Sequence, residues 1–560
     1  MPAREASGAR RRRLVPLVAA IVVAVAGGGL LTALHHTQRL LVPPRAAINA
    51  ALHAPQSARV LAGAHWDRVT VTPIDDQLEH VSFLEHGQLV AEAAIYRNGQ
   101  VASEKVDTMP VPYGNWVAYE PAVLVGLCLL FVLMAAVTPW WRLRNLDVIA
   151  ALSFLPAVLL FQNRYLSASM LAAAPPMVYL LLRCGFVAFG PDRPSAAARP
   201  LLVALTPRLD PVRRVRWLRW LLAVVALVFV MVGVGSPNAV DVLYAAMEGA
   251  TKLIHGVLPY GHLPPGVIHG DTYPILTYVL YTPVALISPV STTWDSVNGG
   301  LALAVVGALV AAAAVFRTVS GRRLPGSRRP VEVEEAGLRA ALAWLAFPPL
   351  LITVSTGTTD PLLAAMLAAA ILLWRRPAFG TGMLAIAGWF KFAPLVLLPV
   401  ALAPLRGRQL LRALMALALV SLPLLALLVA LGGASGPADM VHSMSYQFTR
   451  GSVQSVWGAL GIPGAQPFGQ SCVLGLIAGS ALVLRREPHL AADRTRMAAL
   501  CAAILIGIQL SADYWAFLYL AWVMPLIACS VLSAAEAAEP AADPAAVAAG
   551  RLKPVGALAG

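Results

Sequence analysis

Charge is scarce in this chain: 12% of its 560 residues are Asp, Glu, Lys or Arg, against 58% that are hydrophobic. One buried core cannot hide that much apolar surface, so a water-soluble globule is excluded and lipid must cover the remainder. Cysteine is rarer still. The five present, Cys128, Cys184, Cys472, Cys501 and Cys529, fall within or at the ends of apolar runs, so no disulfide framework is expected. Acidic residues are the smaller share of the few charges, 28 against 42 Lys and Arg, and the net charge of +14 would suit a nucleic-acid binder in a soluble protein. Here the arginines stand in short segments between apolar runs, which makes them topology signals, and no nucleic-acid partner is expected.

What the chain has in quantity is apolar runs of about 20 residues, enough for a helix to cross a hydrocarbon layer roughly 30 Å thick. With Arg10 to Arg13 placed inside, counting forward gives about fourteen crossings and leaves about 32 of the 42 Lys and Arg on the cytoplasmic side. The crossings fall near 14–34, 118–138, 147–162, 165–184, 217–236, 297–317, 338–356, 361–375, 378–390, 393–405, 409–431, 467–485, 496–511 and 515–533. The apolar stretch 273–289 is left out, because counting it would put Arg317, Arg322, Arg323, Arg328 and Arg329 outside; a juxtamembrane or re-entrant segment is expected there. The fold class is therefore an all-α polytopic membrane protein, multi-pass in the plasma (inner) membrane, with both termini cytoplasmic and the lipid bilayer as its first partner.

Five segments follow. Residues 1–36 read as a cytoplasmic N-terminus and uncleaved anchor, since no small-residue cleavage site precedes His35. Residues 37–117 turn polar, with alternating stretches at Arg68 to Thr72, His80 to Leu84, Leu89 to Tyr96 and Val101 to Val106, and His86-Gly87 and Asn98-Gly99 between them. That is hairpin chemistry, and it predicts a small extracytoplasmic β-rich domain behind a helix near Ala46 to Leu52. Residues 118–216 are accessory membrane helices and a basic cytoplasmic loop, 217–533 form the main membrane module, and 534–560 are an Ala- and Pro-rich tail expected to be disordered.

On this topology the polar residues at the outer face form one set: Asp241, Glu248, His255, His262, His269, Asp271, Asp360, Lys391, Gln447, Arg450 and Asp513. Ionisable groups beside an apolar core are costly to keep, which makes them functional candidates. Asp241, just beyond the end of a crossing, suits a general base toward a sugar hydroxyl, or a helix cap. Asp271, in His269-Gly270-Asp271-Thr272-Tyr273-Pro274, suits a second carboxylate or the cap of a helix starting at Pro274. His255, His262 and His269 recur every seventh residue, but the intervening Gly and Pro break any helix, so no metal is assigned to them. Lys391 stands between two short apolar runs, where its ammonium could meet a lipid phosphate or snorkel to water. Arg450 offers a bidentate phosphate partner or an ordinary surface charge.

Four of these segments together resemble the glycosyltransferase-C superfamily, in its branch of bacterial polyprenyl-phosphate-mannose-dependent α-mannosyltransferases. They are the Asp241 loop, Gly270-Asp271-Thr272-Tyr273-Pro274-Ile275-Leu276-Thr277-Tyr278, Gly357-Thr358-Thr359-Asp360-Pro361-Leu362-Leu363, and Gly388 to Pro399 with its Lys-x-x-Pro core. The likeness covers residues 217 to 533; Pro274-Ile275 stands where the family has Pro-Pro, and the preceding crossings and outer domain are additions to its common module. The resemblance implies a glycosyltransferase-C-like module that passes a sugar, expected to be mannose, from a polyprenyl-phosphate donor to a cell-envelope glycolipid or polysaccharide acceptor by an inverting displacement. It implies Asp241 as base, with Asp271 as a second carboxylate. Lys391 and Arg450 would then neutralise the lipid phosphate, with Tyr273, His269, Asp360 and Gln447 around the donor. No cofactor is expected, and a divalent cation on the carboxylates stays open because no ligand spacing demands one. A lipid or polysaccharide transporter or flippase would instead show charges at mid-membrane and repeated spans, and a non-catalytic envelope-assembly scaffold would tolerate loss of Asp241.

Overall fold

The computed structural model describes residues 42–73, 78–86, 88–96, 98–106, 114–190, 198–236, 239–264, 267, 270–287, 297–321, 330–449 and 454–533. The expected anchor at 14–34, the tail, His269 and Arg450 lie outside the described residues.

The polar stretch folds into a small unit of its own. Helices α1 (Pro44–His53) and α2 (Pro55–Leu61) precede an antiparallel meander of β1 (Arg68–Pro73), β2 (Leu78–Glu85), β3 (Gln88–Tyr96) and β4 (Val101–Val106). All four expected strands are present, as is the expected helix; α2 was not anticipated. The turns follow their chemistry: His86 sits at φ 48°, Gly99 at φ 81°, and the Gly99 N–H donates to Tyr96 O at 2.8 Å. Alternation along the strands sends Val81, Phe83, Ala91, Ala93 and Ile95 onto Ala47, Ala51 and Leu61, a core separate from that of the membrane helices.

The rest is helical. Among the described residues, seven helices are long and apolar enough to cross a membrane, and five of them are single runs: α6 (Leu166–Phe189), α7 (Pro211–Val234), α10 (Asn298–Ser320), α17 (Gln466–Arg486) and α18 (Arg494–Ser511). The other two join shorter pieces. One is Leu143–Gln162, made of α4 (Leu143–Leu152) and α5 (Phe154–Gln162), and the other is Gly407–Gln447, made of α15 (Gly407–Gly432) and most of α16 (Gly436–Thr449). A further pair, α11 (Pro330–Leu345) and α12 (Pro348–Ser355), meets at 56°. The sequence suggested one crossing at 338–356; the bend arises because Pro348 and Pro349 have no N–H to continue the helical ladder.

Shorter apolar helices supply the rest: α3 (Pro121–Ala135), α9 (Ile275–Ile287), α13 (Asp360–Leu373), α14 (Pro377–Phe390), Ala393–Leu402 and Phe517–Cys529, the last containing α19 (Leu520–Cys529). Length therefore carries a polytopic helical membrane protein; the count of fourteen leaves α9 out and needs the bent pair, the other five short helices and the 14–34 segment outside the described residues to be spans as well. Close packing follows from small residues. A Cβ on Gly307 of α10 would lie 2.6 Å from Leu362 N on α13, and Ala304, Ala308 and Ala311 are buried in the same seam.

Polar groups collect at the two ends of the bundle. Helix α13 begins at Asp360 and ends just before Arg375, which separates those residues by roughly 20 Å at 1.5 Å per residue. In the same sense α7 starts beside Arg213 and Arg214 and leads to Asp241, and α14 starts after Arg376 and stops at Lys391. The basic end is partly neutralised: Arg214 holds Glu335 at 3.1 Å, Arg219 holds Glu334 at 2.5 Å, and Arg496 donates to the carbonyls of Ala188 and Gly190 at 3.0 Å each. The arginines at the start of α7, expected in a basic loop, are in part structural partners of α11.

The small domain is fastened at the other end. Leu89 N donates to Arg164 O at 3.2 Å, in the turn between α5 and α6. Gly114, at φ 92°, packs so tightly on the end of α12 that a Cβ would lie 2.5 Å from Ser355 Oγ.

Candidate functional site

The Asp241 end is built from interruptions of helices, and irregular backbone at that depth is tolerated only where it lines a cavity or is buried in protein. The first interruption is Thr356 to Asp360. Gly357 has φ 75°, and a Cβ there would meet Leu243 at 2.4 Å and Leu301 at 2.7 Å, so both conformation and space require glycine. Thr358 Oγ1 accepts from Asp360 N at 2.9 Å and donates back to Asp360 Oδ2. Val240 N donates to Thr356 O at 2.9 Å, which ties the start of the helix α8 (Asp241–Ile254) to the loop that carries Asp360.

The second interruption is at Lys391. Helix α14 stops there because Lys391 turns to extended geometry, φ −141° and ψ 130°, with Pro394 following. The carbonyl of Phe390 is taken up by Thr277 Oγ1 from α9. The extended turn delivers Lys391 Nζ to Asp360 Oδ1 at 2.6 Å, and Trp522 Nε1 donates to the same oxygen at 2.5 Å. Both ionic groups are deeply buried, Lys391 5% and Asp360 1% exposed. Three rings surround the ammonium: Tyr273 at 5.2 Å, Trp522 at 5.3 Å and Tyr519 at 5.7 Å from ring centre to Nζ. Tyr519 and Trp522 stack at 4.4 Å. A desolvated cation gains about 2 kcal/mol from such a ring.

Lys391 does not snorkel to water: a carboxylate 31 residues upstream pairs with one of its three N–H donors. Asp360, expected near the donor, is the counter-ion of that pair. The rings were only partly legible: Tyr273 was singled out, whereas Tyr519 and Trp522 lie within an apolar run and carry no local signal beyond their i, i+3 spacing on one helix face.

The third interruption is the segment from His255 to Pro274. Asp271 does not cap a helix here: its Oδ2 accepts from Gly261 N and from Ser443 Oγ of α16, both at 2.9 Å. Gln447, on the same helix, donates to Thr272 Oγ1 at 2.6 Å, and Tyr260 donates its hydroxyl to Tyr273 O at 3.1 Å. Burial, with the Asp271 charge nearby, pushes the Tyr260 hydroxyl well above its usual range, so it remains a proton donor to that carbonyl. Asp271 and Gln447 thereby tie the two residues before Tyr273 to α16.

Asp241 is different from both buried carboxylates. It is exposed, its Oδ1 accepts from Val242 N at 2.9 Å, and its other oxygen takes no hydrogen bond among the described residues. Glu248, two turns further into α8, is buried, whereas His255 and His262 are exposed. Asp513 lies half-buried in the break between α18 and α19. Among the described residues no three His, Cys, Asp or Glu side chains converge to hold a metal. The end of the bundle thus offers an accessible carboxylate beside a buried ion pair roofed by aromatic rings. No protein-family model matches the chain, and no curated protein matches it.

Proposed function

We propose that this chain is a membrane glycosyltransferase that moves a sugar, mannose as the first candidate, from a polyprenyl-phosphate donor to a cell-envelope glycolipid or polysaccharide on the outer face of the inner membrane. The observation that carries it is the juxtaposition at one end of the bundle of exposed Asp241 and buried, ring-covered Lys391, joined by the Val240 to Thr356 hydrogen bond. The proposal includes the topology of about fourteen crossings with cytoplasmic termini, which puts this end outside.

The chemistry balances on these residues. Asp241 accepts the proton of an acceptor hydroxyl, and that oxygen attacks the anomeric carbon. The bond from the anomeric carbon to the phosphate oxygen breaks, and its electron pair leaves with polyprenyl phosphate. Lys391 stabilises the departing phosphate with the N–H donors that Asp360 does not use, and Asp360 keeps the ammonium buried when no phosphate is bound. The rings of Tyr273, Tyr519 and Trp522 supply faces for the apolar side of a sugar or the first isoprene unit. Asp271 and Gln447 act as positioning residues for Tyr273, and Arg450 and His269 remain candidates for the donor.

The test is transfer of labelled mannose from polyprenyl-phosphate mannose in membranes carrying the wild type or Asp241→Asn. Transfer by the wild type that collapses in Asp241→Asn supports the proposal. Full turnover by Asp241→Asn would move the base elsewhere, and no transfer from any of several lipid-linked sugars would sink the enzyme class.

A further inference from the structure

The basic end of the bundle has a cavity of its own. About 220 Å³ opens between the segment after α13, the start of α15 and the segment before α18, lined by Trp374, Arg375, Ala401, Leu405, Gln409 and Ala492 among others. Exposed Arg376 and Arg406 belong to the first two of these segments, and exposed Arg485 stands in the last turn of α17, just before the third. Arg375 spends its Nε on Ala492 O at 3.2 Å, and Arg406 one Nη on Arg485 O at 3.1 Å. Each guanidinium has five N–H donors, so most remain available. Arg494 lies within electrostatic reach of both Arg375 and Arg376, and its buried Nε has no hydrogen-bond partner among the described residues. The nearby carboxylates are in use: Asp493 caps Thr495 N at 2.8 Å, and Glu487 faces His489 at 3.8 Å. Guanidiniums brought together without a counter-ion repel, and an unpaired buried N–H is costly, so the site is incomplete as it stands.

We propose that this cavity binds the phosphate headgroup of an anionic phospholipid from the leaflet at the basic end of the bundle. Charge selects an anion, and planar arginine donors suit phosphate oxygens. Lipid, rather than a soluble phosphate, follows from the walls and their surroundings. Trp374, Leu405 and Ala401 are apolar, and beyond Gln409 the helix α15 turns Leu411, Leu414 and Met415 outward, a bare flank along which acyl chains lie once the headgroup is seated. Three chain segments far apart in sequence, around 375, 406 and 490, meet there, so a bound headgroup would clamp α13, α15, α17 and α18 together.

The experiment is thermal unfolding of the purified full chain in neutral detergent, titrated with short-chain phosphatidylglycerol, short-chain phosphatidylcholine, or glycerol 3-phosphate. Phosphatidylglycerol is expected to raise the midpoint at concentrations where the other two do nothing. Its half-saturating concentration should rise about fivefold in Arg375→Ala and about fivefold in Arg494→Gln. It should also rise in Ala401→Leu, which fills the cavity without touching charge, so a failure of either arginine variant to fold leaves the question decidable. An equal response to phosphatidylcholine overturns the proposal. So does glycerol 3-phosphate acting as well as the lipid, which would mark a soluble-phosphate site, and so does a phosphatidylglycerol response unchanged in the variants that fold.

Discussion

The two ends of α13 handle charge in opposite ways. At its first residue a single carboxylate and a single ammonium are buried together, with a threonine and three aromatic rings, one of them an indole, around them. Just past its last residue, guanidiniums gather in the open with few carboxylates to answer them. A buried pair is stable only while both partners are present, whereas an exposed charge loses little when its neighbour goes. Two consequences follow for the same helix: one end is tuned for a defined geometry, and the other for attraction over distance.

The largest effect that would break this contrast is chemical. Asp241→Asn should lower sugar transfer by about 10²- to 10⁴-fold. Its melting temperature should stay near that of the wild type, because Asp241 is exposed and keeps its hydrogen-bonding oxygen as an amide carbonyl. Equal loss of stability and transfer in that variant would show a structural carboxylate instead.

Next comes Asp360→Ala, which strands the Lys391 ammonium in a buried site and should cost about 3–5 kcal/mol in unfolding measurements. The double variant Asp360→Leu with Lys391→Met should regain most of that stability while remaining inactive in transfer; activity in the double variant would remove Lys391 from the mechanism. Thr277→Val leaves the Phe390 carbonyl unsatisfied and should cost about 1–3 kcal/mol, read by thermal unfolding, with a rise in KM for the donor as the Lys391 turn loosens. The smallest effect belongs to the basic end. Arg219→Ala removes a partner of Glu334 that is 63% exposed, and should change stability by less than about 1 kcal/mol. A loss as large as that of Asp360→Ala would erase the distinction between the ends.

Much of the architecture is readable in local sequence. The four strands, the apolar helices and the broken helix at Lys391 follow from hydropathy, period and the Gly and Pro that interrupt them, all of which act within a few residues. The site is less readable. Asp241, Asp271, Tyr273, Asp360, Lys391 and Gln447 stand out because polar residues beside apolar runs are rare, and the structure gathers Asp271, Tyr273, Asp360, Lys391 and Gln447 into linked contacts at the end where Asp241 lies. Their roles in that network do not stand out. Asp271 reads as a cap from its neighbours, yet its partners come from Gly261 and from Ser443, 172 residues away.

The sequence by itself determined that this is a helical membrane protein with a small meander domain, because burial in lipid and backbone hydrogen bonding impose their demands segment by segment. Tertiary structure alone decided that Lys391 answers to Asp360, that Trp522 and Tyr519 close over them, and that three distant segments meet around one cavity lined by Arg375. Which charge meets which depends on how helices are laid side by side, and that is set by packing of small residues such as Gly307 against helices distant in sequence, not by any pattern within a single helix.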